Sequence, residues 1–338
     1  MRIWCCLRVL SVLAAVSGAA ILCRPAEAQA RWRIQYFYDK LDSSFQIFDL
    51  KCPSAERCIA AGVIEDKNGH QKGAVVSTRD GGAHWMLIDV KENPHSLFFL
   101  NDSLGWMVTD HGIWSSDDGG ASWKKLEALR EISRVYFLDP MHGFAVGSSV
   151  YETADGGKNW KNMVSVRRKD FIYASIVFQG QHGIVTGGPL MAGEPVILET
   201  EDGGKHWRNA NAAIHAPVEV EIVQGKIAFV LRDGSLHLVR WMQGSTKLET
   251  IFAEHNRVVT DFVSVAGADA ILAAIEPPGN SNQIPIPGKL KMLRSRDLKI
   301  WQEMDVDYRA VAQRAILAAF DASHVWIATD TGMILKFE

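Results

Sequence analysis

The stretch Glu152-Thr-Ala-Asp-Gly-Gly-Lys-Asn-Trp160 has three near-copies in the chain: Ser77-Thr-Arg-Asp-Gly-Gly-Ala-His-Trp85, Ser115-Ser-Asp-Asp-Gly-Gly-Ala-Ser-Trp123 and Glu199-Thr-Glu-Asp-Gly-Gly-Lys-His-Trp207. Their common core is Ser/Thr-x-Asp-x-Gly-x-x-Trp. Thr78, Ser116, Thr153 and Thr200 carry the hydroxyl, Asp80, Asp118, Asp155 and Asp202 the carboxylate, and Trp85, Trp123, Trp160 and Trp207 the ring. The set suits a tight turn between two strands. The carboxylate can accept backbone N–H groups, glycine tolerates positive φ, and the Trp opens the next strand as an apolar wedge. A phrase that returns at intervals of roughly 40 residues marks a stacked-repeat architecture.

The phrase resembles the Asp box of bacterial sialidase-type repeats. Working outward from the third copy, Arg134-Val-Tyr-Phe-Leu138, Gly143-Phe-Ala-Val-Gly147, Val150-Tyr-Glu-Thr153 and Trp160 to Val166 read as four short strands with turns between them. Four antiparallel strands make one propeller blade. The same grammar places blades at about residues 44–90, 96–129, 134–166 and 174–211. A fifth blade, without an Asp box, runs from Val218 to Phe252. A sixth keeps Ser295-Arg-Asp297 and Trp301 but lacks the glycines, and a seventh begins near Ala315 and ends one strand short at Phe337. The segment Arg31 to Tyr38 opens with a Trp placed as in an Asp box. The expectation is an all-β, single seven-bladed β-propeller whose N-terminal strand completes the last blade and closes the ring.

Residues 1–28 read as a signal peptide, with Arg2 and Arg8 before an apolar run from Val9 to Leu22 and a small-x-small site at Ala26-Glu-Ala28; residues 29–338 form the propeller. A lipid anchor at Cys23 is the alternative, weakened by the bulky Leu22 before it. Export predicts a periplasmic or extracellular location. It leaves Cys52 and Cys58 as the only cysteines, most simply a disulfide, with two buried thiols as the other reading. Removing Arg2, Arg8, Arg24 and Glu27 leaves 33 basic and 38 acidic residues, a net charge of −5, which excludes a general nucleic-acid binder. No later stretch is long and apolar enough to span a bilayer as a helix.

Catalytic chemistry is hard to find. There is no Gly-x-Ser-x-Gly elbow and no phosphate loop. The sialidase Arg-Ile-Pro motif is broken because Arg33-Ile34 is followed by Gln35. The eleven His lack ligand spacing, so no metal or other cofactor is expected, and His142 and His182 are assigned to His-Gly turns. The Asp boxes recur in each of four blades, whereas a site would be single, so they are read as structural.

In a blade, the Asp-box turns lie at one end, and the links between second and third strands, and between blades, lie at the other. The long insertions at 65–72, 187–195 and 276–288 all fall at that second end. So do Arg130, Arg134, Arg167, Arg168, Lys169, Arg257, Arg309 and Arg314, the candidate partner-binding residues. For each one, solvated surface charge is the plainer alternative.

The repeat phrase, the Phe-x-x-x-x-x-Gly-Phe/Trp strands and the Cys52-Pro-Ser-Ala-Glu-Arg-Cys58 insertion together resemble the photosystem II assembly and stability factor (Ycf48-like) family of Asp-box propellers. That resemblance implies a non-enzymatic assembly factor with a basic patch, lumenal in phototrophs. The functional expectation is an exported, monomeric propeller that serves as a binding scaffold for another protein or complex of the cell envelope. The alternative is a carbohydrate-active protein, either a glycan-binding module or a sialidase-like glycoside hydrolase.

Overall fold

The computed structural model describes residues 31–127, 129–164, 170–191, 193–210, 214, 219–232, 235–240, 249–265, 269–276 and 288–338. The expected leader lies outside the described residues. The chain opens on β1 (Arg31–Phe37) and then lays down five four-stranded antiparallel sheets in sequence order. Blade one is β2 (Ser43–Lys51), β3 (Cys58–Asp66), β4 (Gln71–Thr78) and β5 (Met86–Asp89). Blade two is β6 (Pro94–Phe99), β7 (Gly105–Thr109), β8 (Gly112–Ser116) and β9 (Lys124–Glu127). Blade three is β10 (Ile132–Phe137), β11 (Gly143–Gly147), β12 (Val150–Thr153) and β13 (Lys161–Asn162). Blade four is β14 (Phe171–Gln179), β15 (His182–Pro189), β16 (Val196–Thr200) and β17 (Arg208–Asn209). Blade five is β18 (Glu219–Val223), β19 (Lys226–Arg232), β20 (Leu236–Arg240) and β21 (Glu249–Phe252).

The remaining strands depart from the expected seven separate blades. Strands β22 (Val258–Ser264), β23 (Ala270–Glu276), β24 (Gly288–Ser295), β25 (Gln302–Val306), β26 (Val311–Ala312), β27 (Ala315–Asp321), β28 (His324–Thr329) and β29 (Met333–Phe337) join β1 in one nine-stranded sheet. Its order is β22-β23-β24-β25-β1-β29-β28-β27, with β26 on β24. Strand β1 causes the fusion by pairing along both edges. It runs antiparallel to β29 from Trp32↔Phe337 to Phe37↔Met333, as the closure expectation requires. It also runs parallel to β25 at Arg31↔Asp305 and Trp32↔Val306. The structure is thus all-β, five separate blades and one larger sheet, and no helix occurs among the described residues. The first strands β2, β6, β10, β14, β18, β22 and β27 neighbour one another in cyclic order, so the last returns to the first.

The Asp box folds as its chemistry predicts, and blade three serves for all four. Thr153 Oγ1 donates to Asp155 Oδ1 (2.9 Å) and accepts the Gly157 N–H (3.0 Å), while Asp155 Oδ1 also accepts the N–H groups of Lys158 (3.0 Å) and Asn159 (2.9 Å). The first glycine of each box donates its N–H to the turn between the blade's first two strands: Gly81 to Glu56, Gly119 to Ser103, Gly156 to Met141 and Gly203 to Gln181. The hydrogen bonds that the carboxylates themselves accept within the box hold them strongly acidic. Asp80 and Asp155 both sit at about 2, the first through His84 and the second through Asn159. Gly81 and Gly82 take φ of 70° and 99°; where the sixth copy lacks glycine, Leu298 is itself left-handed at 61° and buried. Thr153 is buried, so Thr153→Val leaves the Gly157 N–H and Asp155 without their shared partner. The expected loss is about 1–2 kcal/mol in urea unfolding. A change within error would show that the turn does not depend on this hydroxyl.

The core lies between neighbouring sheets. Trp106 stacks on Phe137 of the next blade at 3.5 Å, and the Asp-box rings of Trp123, Trp160 and Trp207 meet Phe99, Phe137 and Phe144 edge-on. The Cys52–Cys58 disulfide closes the turn between β2 and β3. From that loop Arg57 donates to the backbone oxygens of Asp102 and Asp118, tying blade one to the Asp box of blade two.

Candidate functional site

Several first strands carry a β-bulge at matching places, between Ile47 and Asp49, Pro94 and Ser96, Ile132 and Arg134, Tyr173 and Ser175, and Val259 and Asp261. A bulge re-aims one side chain. Here it turns polar residues toward the neighbouring first strand. Asp49 Oδ2 accepts the Leu97 N–H at 2.7 Å, Asp261 Oδ2 accepts that of Leu317 at 2.7 Å, and Ser175 Oγ bridges both backbone groups of Val220. The first strands surround a cavity of about 960 Å³, lined in part by Asp49, Arg134, Glu219, Glu221, Arg232, Asp261 and Arg314. Arg134, Glu219 and Arg314 lie at or just before the N-terminal ends of first strands. In an up-and-down blade, those ends share a side with the interblade links, opposite the Asp boxes.

The electrostatic centre of the cavity is Arg232, mostly buried, with three carboxylates around it. Glu219 lies at 2.5 Å, Glu221 at 3.0 Å and Asp261 at 3.2 Å. Burial pushes the Glu221 carboxyl up to about 7 against the attraction of Arg232, and burial also raises Asp261. Burial alone would raise Glu219 too, yet the charges of Arg232, Arg134 and Arg314 outweigh it and hold that group below its ordinary value. The arrangement stores charge and is poor at acid–base work on a substrate, because all three carboxylates are turned onto one guanidinium. Acidic groups elsewhere are held locally: Asp66 accepts N–H groups of Asn68 and His70, Glu276 pairs with Lys291, and Asp330 accepts the Gln313 N–H.

The structure divides the eight basic candidates. Arg134 and Arg314 line the cavity, Arg134 at 3.5 Å from Glu219. Arg130 is exposed outside it. Arg257 is engaged by Glu254 and Glu303, and Arg309 forms a two-pronged bond to Asp307. Arg167, Arg168 and Lys169 lie outside the described residues. Sequence reading missed Arg232, Glu219, Glu221 and Asp261. Arg232 ends β19, Glu219 and Glu221 open its hairpin partner β18, and Asp261 comes from the neighbouring β22, so the four meet through hairpin register and the packing of blade five against β22. Glu219-Val-Glu221 did offer a weak signal, two carboxylates on one face of a strand whose other face is core.

A second hollow of about 770 Å³ lies on the Asp-box side of blades two to four, lined by Phe98, Tyr136, Phe137, Phe144 and Phe178 with Asp139 and His142 at its edge. Its rings belong to the interblade packing described above. No helix among the described residues is long and apolar enough to cross a membrane.

The family model of the photosynthesis system II assembly factor YCF48 matches residues 125–231. Among solved structures, the chain is similar to YCF48 bound to a D1 peptide, at 17% identity over 93% of this chain and 97% of that one, with a TM-score of 0.65. It is similar also to YCF48 from Cyanidioschyzon merolae, at 18% identity over 91% and 99% of the two chains, with a TM-score of 0.62. An ancestral GH74 enzyme is matched at 12% identity over 92% of this chain but 40% of its own, with a TM-score of 0.51. At these identities the structural likeness is one of fold. No curated protein sequence matches. The resemblance to Ycf48-like Asp-box propellers therefore rests on a family model as well as on the repeat phrase.

Proposed function

We propose that this chain is an exported, non-enzymatic propeller that binds a segment of another envelope protein across the face opposite the Asp boxes and acts as an assembly factor. The observation that carries the reading is the YCF48 family match over residues 125–231, which covers Arg130 and Arg134 and the whole Arg167–Lys169 run. The fold likeness to a YCF48 structure that contains a D1 peptide supports a protein segment as the ligand class. Export rests on the leader at residues 1–28, and the Cys52–Cys58 bond fits an oxidising compartment, either the periplasm or, in a phototroph, the lumen. The protein works as a monomer, with Arg134 and Arg314 at the cavity and Arg167, Arg168 and Lys169, just before β14 in the sequence, as its charged contacts.

The test is capture from a native envelope extract by immobilised mature protein. Reversing Arg167, Arg168 and Lys169 to Glu is expected to weaken capture about tenfold and to flatten its salt dependence, with little change in melting temperature. Asp118→Ala and Asp155→Ala are expected to lower the melting temperature and leave capture intact. Normal capture by the charge reversals, together with lost capture by stably folded Asp-box variants, would place the interface on the other face.

A further inference from the structure

At the Asp-box end of blade four, three metal-donor side chains converge: His182, Glu199 and Glu201. Gly183 of β15 is paired with Thr200 of β16, which sets His182 beside the residues flanking Thr200. Glu199 lies in β16 and Glu201 follows its last residue, with both carboxylates near the His182 ring. His182 Nε2 stands 3.0 Å from Glu199 Oε1 and 3.9 Å from Glu201 Oε1, and one donor atom from each of the three residues lies within 4.8 Å of the others. A tetrahedral ion with bonds of about 2.0–2.1 Å holds its donors roughly 3.3 Å apart, between the two distances observed.

The site has a built side and an open side. Glu199 is 5% exposed, and its second oxygen accepts Arg208 Nε and NH2 at 3.2 and 3.0 Å, which orients the carboxylate; the same NH2 stands 3.8 Å from Glu201 Oε1. Glu201 is 58% exposed, which leaves room for water as a fourth ligand. The repeat supplies an internal control. Register places His142, Glu152 and Ala154 of blade three at the matching positions, so one donor is missing there and the His142 ring is bound to Asp139. Blades one and two carry Arg57 and Leu104 where blade four has His182. The fold does not demand this trio.

We propose that His182, Glu199 and Glu201 form a binding site for a first-row divalent transition ion of the zinc class. One imidazole nitrogen and two carboxylate oxygens suit that class better than calcium, which takes more numerous oxygen ligands. The tag-free mature protein, stripped with chelator, is titrated with zinc chloride by calorimetry and with calcium chloride as control. The expected result is saturable one-to-one zinc binding, no calcium binding, and a melting temperature raised by zinc. His182→Ala and Glu201→Gln are each expected to weaken zinc binding by at least about tenfold and to abolish the thermal shift. Glu201 is exposed, so its variant keeps the metal-free melting temperature and remains a fair test should His182→Ala fold poorly. No saturable zinc binding by the unaltered protein, or unaltered affinity in Glu201→Gln, overturns the proposal and leaves the trio as an ion-pair cluster with Arg208.

Discussion

Deleting residues 29–38 is expected to leave the protein without a cooperative melting transition. Strand β1 supplies the outer partner of β29 from Trp32 to Phe37 and also meets β25, so its loss exposes two strand edges at once. Trp32 is fully buried among Val325, Ile327, Leu335 and Met292, and its Nε1–H donates to Met304 Sδ at 3.4 Å. Truncating that ring alone, as Trp32→Ala, is expected to cost about 3–5 kcal/mol in denaturant unfolding. If the deletion variant melts cooperatively near the parent temperature, β1 is an accessory strand and the remaining sheet holds itself.

Replacing Arg232 with Met should give the second large effect. Glu219, Glu221 and Asp261 would then crowd one cavity without their shared cation. Removing one partner of a buried charged cluster costs about 3–5 kcal/mol. The pH dependence distinguishes this cause from lost packing. Glu221 has a folded value of about 7 against an ordinary 4.5, so the folded state holds the extra proton. Its contribution to stability is full below about 4.5 and is lost as pH rises to about 7. The Asp boxes have the opposite sign: Asp80 and Asp155, lowered to about 2, support the fold above their ordinary value of 3.8 and cease to do so as pH falls toward 2. The Arg232→Met deficit should therefore be larger at pH 8 than at pH 5, because its carboxyls can take up protons at the lower pH. Glu221→Gln in the unaltered background should flatten the decline between pH 5 and 7. An equal deficit at both pH values would mean that Arg232 acts as a space-filling residue.

Much of this architecture is local. Each Asp box closes through contacts no more than four residues apart, such as Thr153 to Gly157 and Asp155 to Asn159, so a nine-residue phrase states its own geometry. The same locality makes the hairpins of blades one to five legible to within a few residues. The Cys52–Cys58 bond, with five residues between its partners, is likewise a matter of a short loop. The repeat grammar, a blade one strand short at Phe337 and the Asp-box-like placement of Trp32 were enough to predict an all-β repeat protein with β1 paired to β29.

What the tertiary structure decided was long-range. Seven equal blades followed from counting repeats, but the pairing of Trp32 with Val306 joins segments from opposite ends of the chain, and no local pattern in either encodes it. The cavity charge depends on Arg232 meeting Asp261 across two sheets, after bulges re-aim the side chains. His182 looked like another turn histidine, and it meets Glu199 and Glu201 only because strand register sets Gly183 against Thr200. The sequence by itself determined the repeating unit and its turns, where the interacting atoms are neighbours along the chain. Which charges and donor atoms face one another was decided by sheet register and by the packing of consecutive sheets, because those contacts exist only once separate strands have packed.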